Sequence, residues 1–411
     1  MVLRKVTVAL AAAVAGLLPA APAQARAFTC PQAPPVAQVS KDETYEDQLL
    51  APERLAPFAT GAGIRVAVID SGVDANHPQL RGQVAAGQDF LHNDPDGRQD
   101  CVGHGTAVAG IIAAKPASNA GPRGLAPGAT IVPIRVSEQT DTEGGGSSGE
   151  PASPARFAQA IDWAVTEGDA DVINMSLVMT ADDDRVREAV ARAVAAGVIV
   201  VAAAGNHGRP DETNPTPYPA SYPDVIGVGA IGSNGVAAEF SQHGRYVDVM
   251  APGDEVTVAA RGSGHVPGSG TSYATPFVSA TAALIKQRFP TLTPAQVARR
   301  IFATADPAPG GRRSDRYGFG VLNPYRALTE TLGPDSPPPP APAVMHTDDP
   351  ATVALATRRA RAQDMSLLVA GIGAGIVVLV VVAAAALRRG RRRGWRPPDP
   401  AGPEPPWPDN A

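Results

Sequence analysis

Between residues 64 and 250 the chain alternates short apolar runs with helical patterns. The runs are Ile64–Ile69, Ile131–Val136, Val172–Leu177, Val198–Ala204, Val225–Ile231 and Tyr246–Met250. They have the length of strands and lack regular polar alternation, which predicts strands buried on both faces. Between them, Ser153-Pro154 supplies an N-cap with proline in the first helical position, followed by apolar Phe157, Ile161, Ala164 and Val165. Val186, Val190 and Val194 recur every fourth residue until Gly197 stops the pattern. A last apolar run, Pro276 to Phe289, reads as a helix. Strands alternating with helices predict an α/β protein: a doubly wound parallel sheet with helices on both faces, its chemistry gathered at the carboxyl ends of the strands.

The two ends of the chain have a different pattern. Residues 1–25 read as a signal peptide, with Arg4 and Lys5 ahead of an apolar stretch, Val6 to Leu18, and a small-residue cleavage site at Ala23-Gln24-Ala25. Residues 365–387 contain no charged side chain. At 1.5 Å per residue this stretch is long enough to cross a hydrocarbon layer of about 30 Å, which predicts a C-terminal transmembrane helix. Six arginines (Arg388, Arg389, Arg391, Arg392, Arg393, Arg396) follow it, against three before it, so residues 388–411 are expected to form a basic, proline-rich cytoplasmic tail. The expected location is the cell membrane, crossed once, with the large domain outside the cytoplasm. Residues 333–364, with four consecutive prolines at 337–340, read as a semi-rigid spacer. This leaves an N-terminal arm, 26–60, and a domain, 61–332, large enough for one sizeable core. Residues 26–387 hold 27 basic and 37 acidic side chains, net −10, which argues against nucleic acid as a partner.

Four polar residues stand at strand ends or helix starts. Asp70 closes the first apolar run. His104 lies in Gly103-His104-Gly105-Thr106 ahead of a small-residue helical stretch, whereas the other six histidines sit in polar, loop-like segments where a solvated ring is the default. Asn206 follows Gly205 at the end of the fourth run. Ser272, in Gly270-Thr271-Ser272-Tyr273-Ala274-Thr275-Pro276, opens the last helix, where unpaired backbone N–H groups favour a developing negative charge. Taken singly, each has a plainer reading: a strand-end cap, an Asx-turn, an N-cap. Neither H-x-x-x-H nor C-x-x-C spacing occurs, so no metal and no cofactor are expected.

Together, Asp, His, Asn and Ser follow the chain order of subtilisin. The segments Ile69-Asp70-Ser71-Gly72, Gly103-His104-Gly105-Thr106 and Gly270 to Pro276 resemble the aspartate, histidine and serine motifs of the subtilisin-like serine proteases, family S8, across about residues 64 to 328. The resemblance implies Asp70, His104 and Ser272 as a catalytic triad. It also implies Asn206 with the Ser272 N–H as an oxyanion hole, and Ser176, Leu177, Val178 and Gly205 as substrate-binding residues. A signal peptide, an arm, a subtilase domain, a proline-rich spacer and one span together resemble the mycosins, the membrane-anchored proteases of type VII secretion systems. That likeness implies secreted proteins or peptides as substrates and a membrane secretion complex as partner.

Three departures sharpen this reading. Cys30 and Cys101 are the only cysteines of an exported chain, so a disulfide is expected, two free thiols being the alternative. Gly144 to Gly149 lies in an insertion expected to be flexible. Val178 and Met179 stand where the family usually has two glycines, which should narrow the pocket for the residue before the cut. Limited processing is the favoured function. A general surface protease and a largely non-catalytic scaffold remain the alternatives.

Overall fold

The computed structural model describes Cys30 and residues 37–142, 146–309, 311, 313–332 and 388–389. The expected signal peptide, spacer and membrane span, and most of the tail, lie outside the described residues. Among those described, no helix is long and apolar enough to cross a membrane.

In chain order, the arm folds as α1 (Tyr45–Leu50) and α2 (Pro52–Leu55). Then come β1 (Arg65–Asp70), β2 (Gln88–Asp89), α3 (His104–Ala113), β3 (Thr130–Arg135), β4 (Thr140–Thr142), β5 (Gly146–Ser148), α4 (Pro154–Thr166), β6 (Val172–Met175), α5 (Asp184–Ala195) and β7 (Ile199–Ala203). The domain ends with β8 (Val225–Ile231), β9 (Val249–Pro252), β10 (Val256–Ala259), β11 (His265–Gly268), α6 (Thr271–Arg288), α7 (Pro294–Ala303) and α8 (Pro324–Thr329). Seven strands form one sheet in the order β2-β3-β1-β6-β7-β8-β9, every pair parallel. The order reverses at β1, which pairs with β3 on one side and β6 on the other, and such a reversal opens a crevice at the carboxyl ends of the strands.

Successive β1 residues serve different faces. Val66 and Val68 join a core with α3, α6 and α7, while Ala67 and Ile69 join a second core with α4 and α5. Burial on both sides explains why the strands read as unbroken apolar runs. The helix signals hold where they were clear: the Ser153 hydroxyl accepts the Arg156 N–H over Pro154, and α5 ends just before Gly197, whose φ is +90°.

Three expectations shift. The last apolar helix starts at Thr271, with Pro276 inside it. A proline cannot donate to the carbonyl four residues back, here that of Ser272. The Ser176 hydroxyl donates to that carbonyl instead, at 2.7 Å. The insertion carries a short antiparallel ladder, β4 on β5, its tip at 143–145 lying outside the described residues. The polar setting of His77 and His265 did not mean solvation, since both are buried, at 1% and 9% exposure.

The arm is part of the domain's packing. Ser40 N–H donates to His265 Nδ1 at 3.1 Å, His265 N–H to the Gln38 carbonyl at 2.9 Å, and the Tyr45 hydroxyl to the Asp254 carbonyl at 2.7 Å. Glu46 accepts the Thr257 N–H at 2.9 Å. Cys30 and Cys101 are joined in a disulfide, their Cα atoms 5.3 Å apart. None of these arm contacts involves Asp70, His104, Asn206 or Ser272.

Candidate active site

β1 and α3 bring the first two residues together. Asp70 is fully buried at the end of β1, and its Oδ1 lies 2.7 Å from His104 Nδ1 in the first turn of α3. The hydrogen bond places the ring proton on Nδ1, donating to the carboxylate. Oδ1 also accepts the Ser71 N–H at 2.7 Å, while Oδ2 has no hydrogen-bond partner, so the negative charge is only partly compensated and acts on the imidazole. The His104 side chain keeps 20% exposure against none for Asp70, so one partner is sealed and the other meets solvent.

The flanking glycine explains how the strand end and helix start approach so closely. A Cβ on Gly105 would stand 2.0 Å from the Gly72 carbonyl oxygen and 3.2 Å from Asp70 Cβ. Any side chain there would push α3, and His104 with it, off the end of β1.

α6 positions Ser272. Ser272 lies in the first turn, where its N–H has no acceptor within the helix. The Asn206 amide is turned by Thr271: its Oδ1 accepts the Thr271 N–H at 2.9 Å and the Thr271 hydroxyl at 3.0 Å. With the oxygen so engaged, Nδ2 faces the site. A Cβ on Gly270 would meet Ser272 Oγ at 3.0 Å and Asn206 Nδ2 at 3.3 Å, so the hydroxyl and the amide donor converge on one small space. The Tyr273 ring, next in sequence to Ser272, lies 5.3 Å from the His104 ring, which closes the circle between α6 and α3.

The expected substrate-binding residues divide. Ser176 is buried, and its hydroxyl accepts Asn174 Nδ2 at 3.0 Å while donating to the Ser272 carbonyl, so its side chain ties β6 to α6. Val178 is 37% exposed. Met179 pairs with Tyr218 through both backbone groups, at 2.7 and 2.8 Å, so its own backbone is already engaged. Gly205 is fixed from behind: its φ is +94°, its N–H donates to the Thr271 hydroxyl at 3.0 Å, and a Cβ there would strike Gln242 Oε1 at 2.0 Å. Among the described residues no group of three or more His, Cys, Asp or Glu side chains is placed to hold a metal ion.

Sequence reasoning read Thr271 only as part of the serine motif and did not single out Gln242 or Asp100, a buried carboxylate in the turn before α3 that accepts the Ser71 and Thr106 hydroxyls. The one signal for Asp100 was a carboxylate in the turn just before a helix start.

Comparison with known proteins gives this geometry a class. The model of the subtilase family, peptidase S8, matches residues 61–320, and the chain belongs to that family. It is a subtilisin-like serine endopeptidase by descent and fold. Among its relatives, Mycosin-1 of Mycobacterium tuberculosis is 39% identical over 331 residues, covering 70% of this chain and 72% of that protein. Subtilisin E of Bacillus subtilis is 39% identical over 276 residues, covering 67% and 68%. Among solved structures, MycP1, described as an essential component of the type VII (ESX-1) secretion system, superposes with a TM-score of 0.61 at 33% identity, covering 74% of this chain and 94% of its own.

Proposed function

We propose that the chain is a membrane-anchored, extracytoplasmic endopeptidase that makes limited cuts in secreted proteins, in association with a type VII secretion complex. The observation that carries the catalytic part is the 2.7 Å contact of Asp70 with His104 beside the shared space of Ser272 and Asn206. Ser272 Oγ attacks the peptide carbonyl while His104 Nε2 takes its proton and later gives it to the leaving amine. Asp70 holds the Nδ1–H tautomer and stabilises the imidazolium. Asn206 Nδ2 and the Ser272 N–H receive the oxyanion.

Restriction to limited cutting rests on the exposed Val178 side chain, where the family usually has glycine, and on the pairing of Met179 with Tyr218, which takes up backbone a substrate strand would otherwise use. Rapid digestion of casein without side-chain preference would refute it. The anchoring rests on the apolar run 365–387 and its arginine flank. A fluorophosphonate probe tests the catalytic reading: mass spectrometry is expected to find the label on Ser272 and none in Ser272→Ala. A folded protein that never labels would overturn it.

The relationship to a secretion-system component supports a second role, as a structural member of the complex. Secretion retained in a Ser272→Ala strain but lost on deletion of the protein would establish that role apart from proteolysis.

A further inference from the structure

Asp100, 3% exposed, lies in the turn before α3, four residues ahead of His104 and thirty beyond Asp70. Its carboxyl nevertheless binds both segments that carry them. Oδ1 accepts the Ser71 hydroxyl at 3.0 Å, the Val102 N–H at 3.1 Å and the Gly103 N–H at 2.7 Å. Oδ2 accepts the Thr106 N–H at 2.9 Å and the Thr106 hydroxyl at 2.7 Å.

The two hydroxyls continue the network. Ser71 Oγ accepts the Gly105 N–H at 2.9 Å, and Thr106 Oγ1 accepts the Asp74 N–H at 2.9 Å. Each hydroxyl therefore directs its single proton to Asp100. All five partners of Asp100 are donors, so it is bound as the carboxylate. Burial and the charge of Asp70 raise its pKa, against the opposing pull of the Thr106 and Gly103 donors.

We propose that Asp100 is a positioning residue for His104: one buried anion fixes the loop after Asp70 against the turn before His104 and so sets the Asp70–His104 contact. This rests on the triad reading above. Asp100 makes bonds on both sides of His104, to residues 102, 103 and 106, and one to Ser71, the neighbour of Asp70. Removing the charge lets the turn drift from the strand end, and the histidine drifts with it. A second consequence is electrostatic. The charged and titratable groups around the histidine loop include Asp70 on β1, Asp74 beyond it, Asp100, the Arg261 guanidinium on the Cys101 carbonyl, the Arg135 guanidinium of β3 on the Cys101 sulfur, and the Tyr273 ring on α6. Loss of one buried anion from this set makes the imidazolium less favourable.

The test is Asp100→Asn in the full chain, with kinetics normalised to active sites titrated by a fluorophosphonate. The amide keeps the shape but turns an N–H₂ toward the Thr106 donors. The expected result is a fall in kcat of about 10²-fold, the scale of an ångström-sized misplacement, with KM changed less than about threefold, since no substrate contact is removed. The acid limb of kcat/KM is expected to move to lower pH. Ser71→Ala guards against a variant that fails to fold. It removes the Ser71 hydroxyl's bonds to Asp100 and from Gly105 while leaving the other four bonds on Asp100 in place, and is expected to lower kcat by about five- to hundredfold, the value of two hydrogen bonds. Turnover per titrated site within twofold of wild type and an unmoved acid limb in both variants would overturn the proposal. A wild-type protein that never labels would overturn the triad reading instead.

Discussion

Helices α6 and α5 cover opposite faces of the same sheet and differ in almost every chemical respect. α6 is buried continuously from Ala274 to Ile285, with small residues on all sides. Its partner α3 is buried from Gly105 to Ala113. These two helices carry Ser272 and His104 in their first turns. α5 buries only Val186, Ala189, Val190 and Ala193, and its outer side is laced with ion pairs, such as Arg192 to Asp162 on α4. α4 and α5 carry none of the four site residues. Ser272 and His104 thus ride on helices that cannot shift without moving a core, whereas the solvated helices only complete the fold.

Substitutions can break or sharpen that contrast. The largest effect is expected from Ser272→Ala, which should lower kcat by about 10⁶-fold, a magnitude established for subtilisin and not calculated from this geometry. Asn206→Ala should lower kcat by about 10²–10³-fold, again the subtilisin value, with little change in KM. Steady-state kinetics on a peptide substrate check both, and a wild-type rate in either variant would remove that residue from the site.

The disulfide strap on the α3 side comes next. It closes a loop of 71 residues, for which the chain-entropy model gives about 4 kcal/mol, so urea unfolding of Cys30→Ser is expected to show a loss up to that size. Ala280→Leu on buried α6 should then destabilise by about 1–3 kcal/mol through overpacking. Arg192→Ala on exposed α5 should change stability by no more than about 1 kcal/mol. Equal losses at those two positions would erase the distinction between the faces.

The smallest expected effect is a pair of opposed pH slopes under the arm. Burial and the neighbouring His77 lower the His265 pKa from 6.5 to about 4. The unfolded chain therefore binds the extra proton between those values, and stability falls as pH drops through that window. Burial and Glu46 raise the Asp47 carboxyl from 3.8 to about 7, so the folded state holds the extra proton and stability falls as pH rises. Thermal melts from pH 4 to 7 should separate the two. Relative to wild type, His265→Gln should lose stability as pH rises, and Asp47→Asn as pH falls.

The parallel sheet was legible because strands covered on both sides show no polar alternation to confuse them. Val225–Ile231 matches residue for residue, while the last run, placed at 246–250, became Val249–Pro252 because Val247 is held in a turn by the Gly244 carbonyl. The four polar residues were legible as strand-end and helix-start signals. What supports them was not. α1 turns two carboxylates, Glu46 and Asp47, inward and so looks like a polar arm. His265 is buried because the arm's Ser40 N–H and the Gln79 side chain satisfy both of its nitrogens, a pairing across 225 and 186 residues that no local pattern contains. Pro276 read as a helix boundary because its remedy, the Ser176 hydroxyl, lies 96 residues away from the carbonyl it serves.

The Cys30–Cys101 bond also makes part of this polypeptide a ring. Asp70 lies on the ring and His104 just outside it. A single proteolytic nick anywhere between residues 30 and 101 opens the ring without shedding a fragment. The product is two covalently joined chains that migrate as one species until a reductant is added. Trimming ahead of Cys30 removes only what lies outside the ring. The segment that bears Asp70 therefore stays tethered to the one that bears His104 through any one such cut.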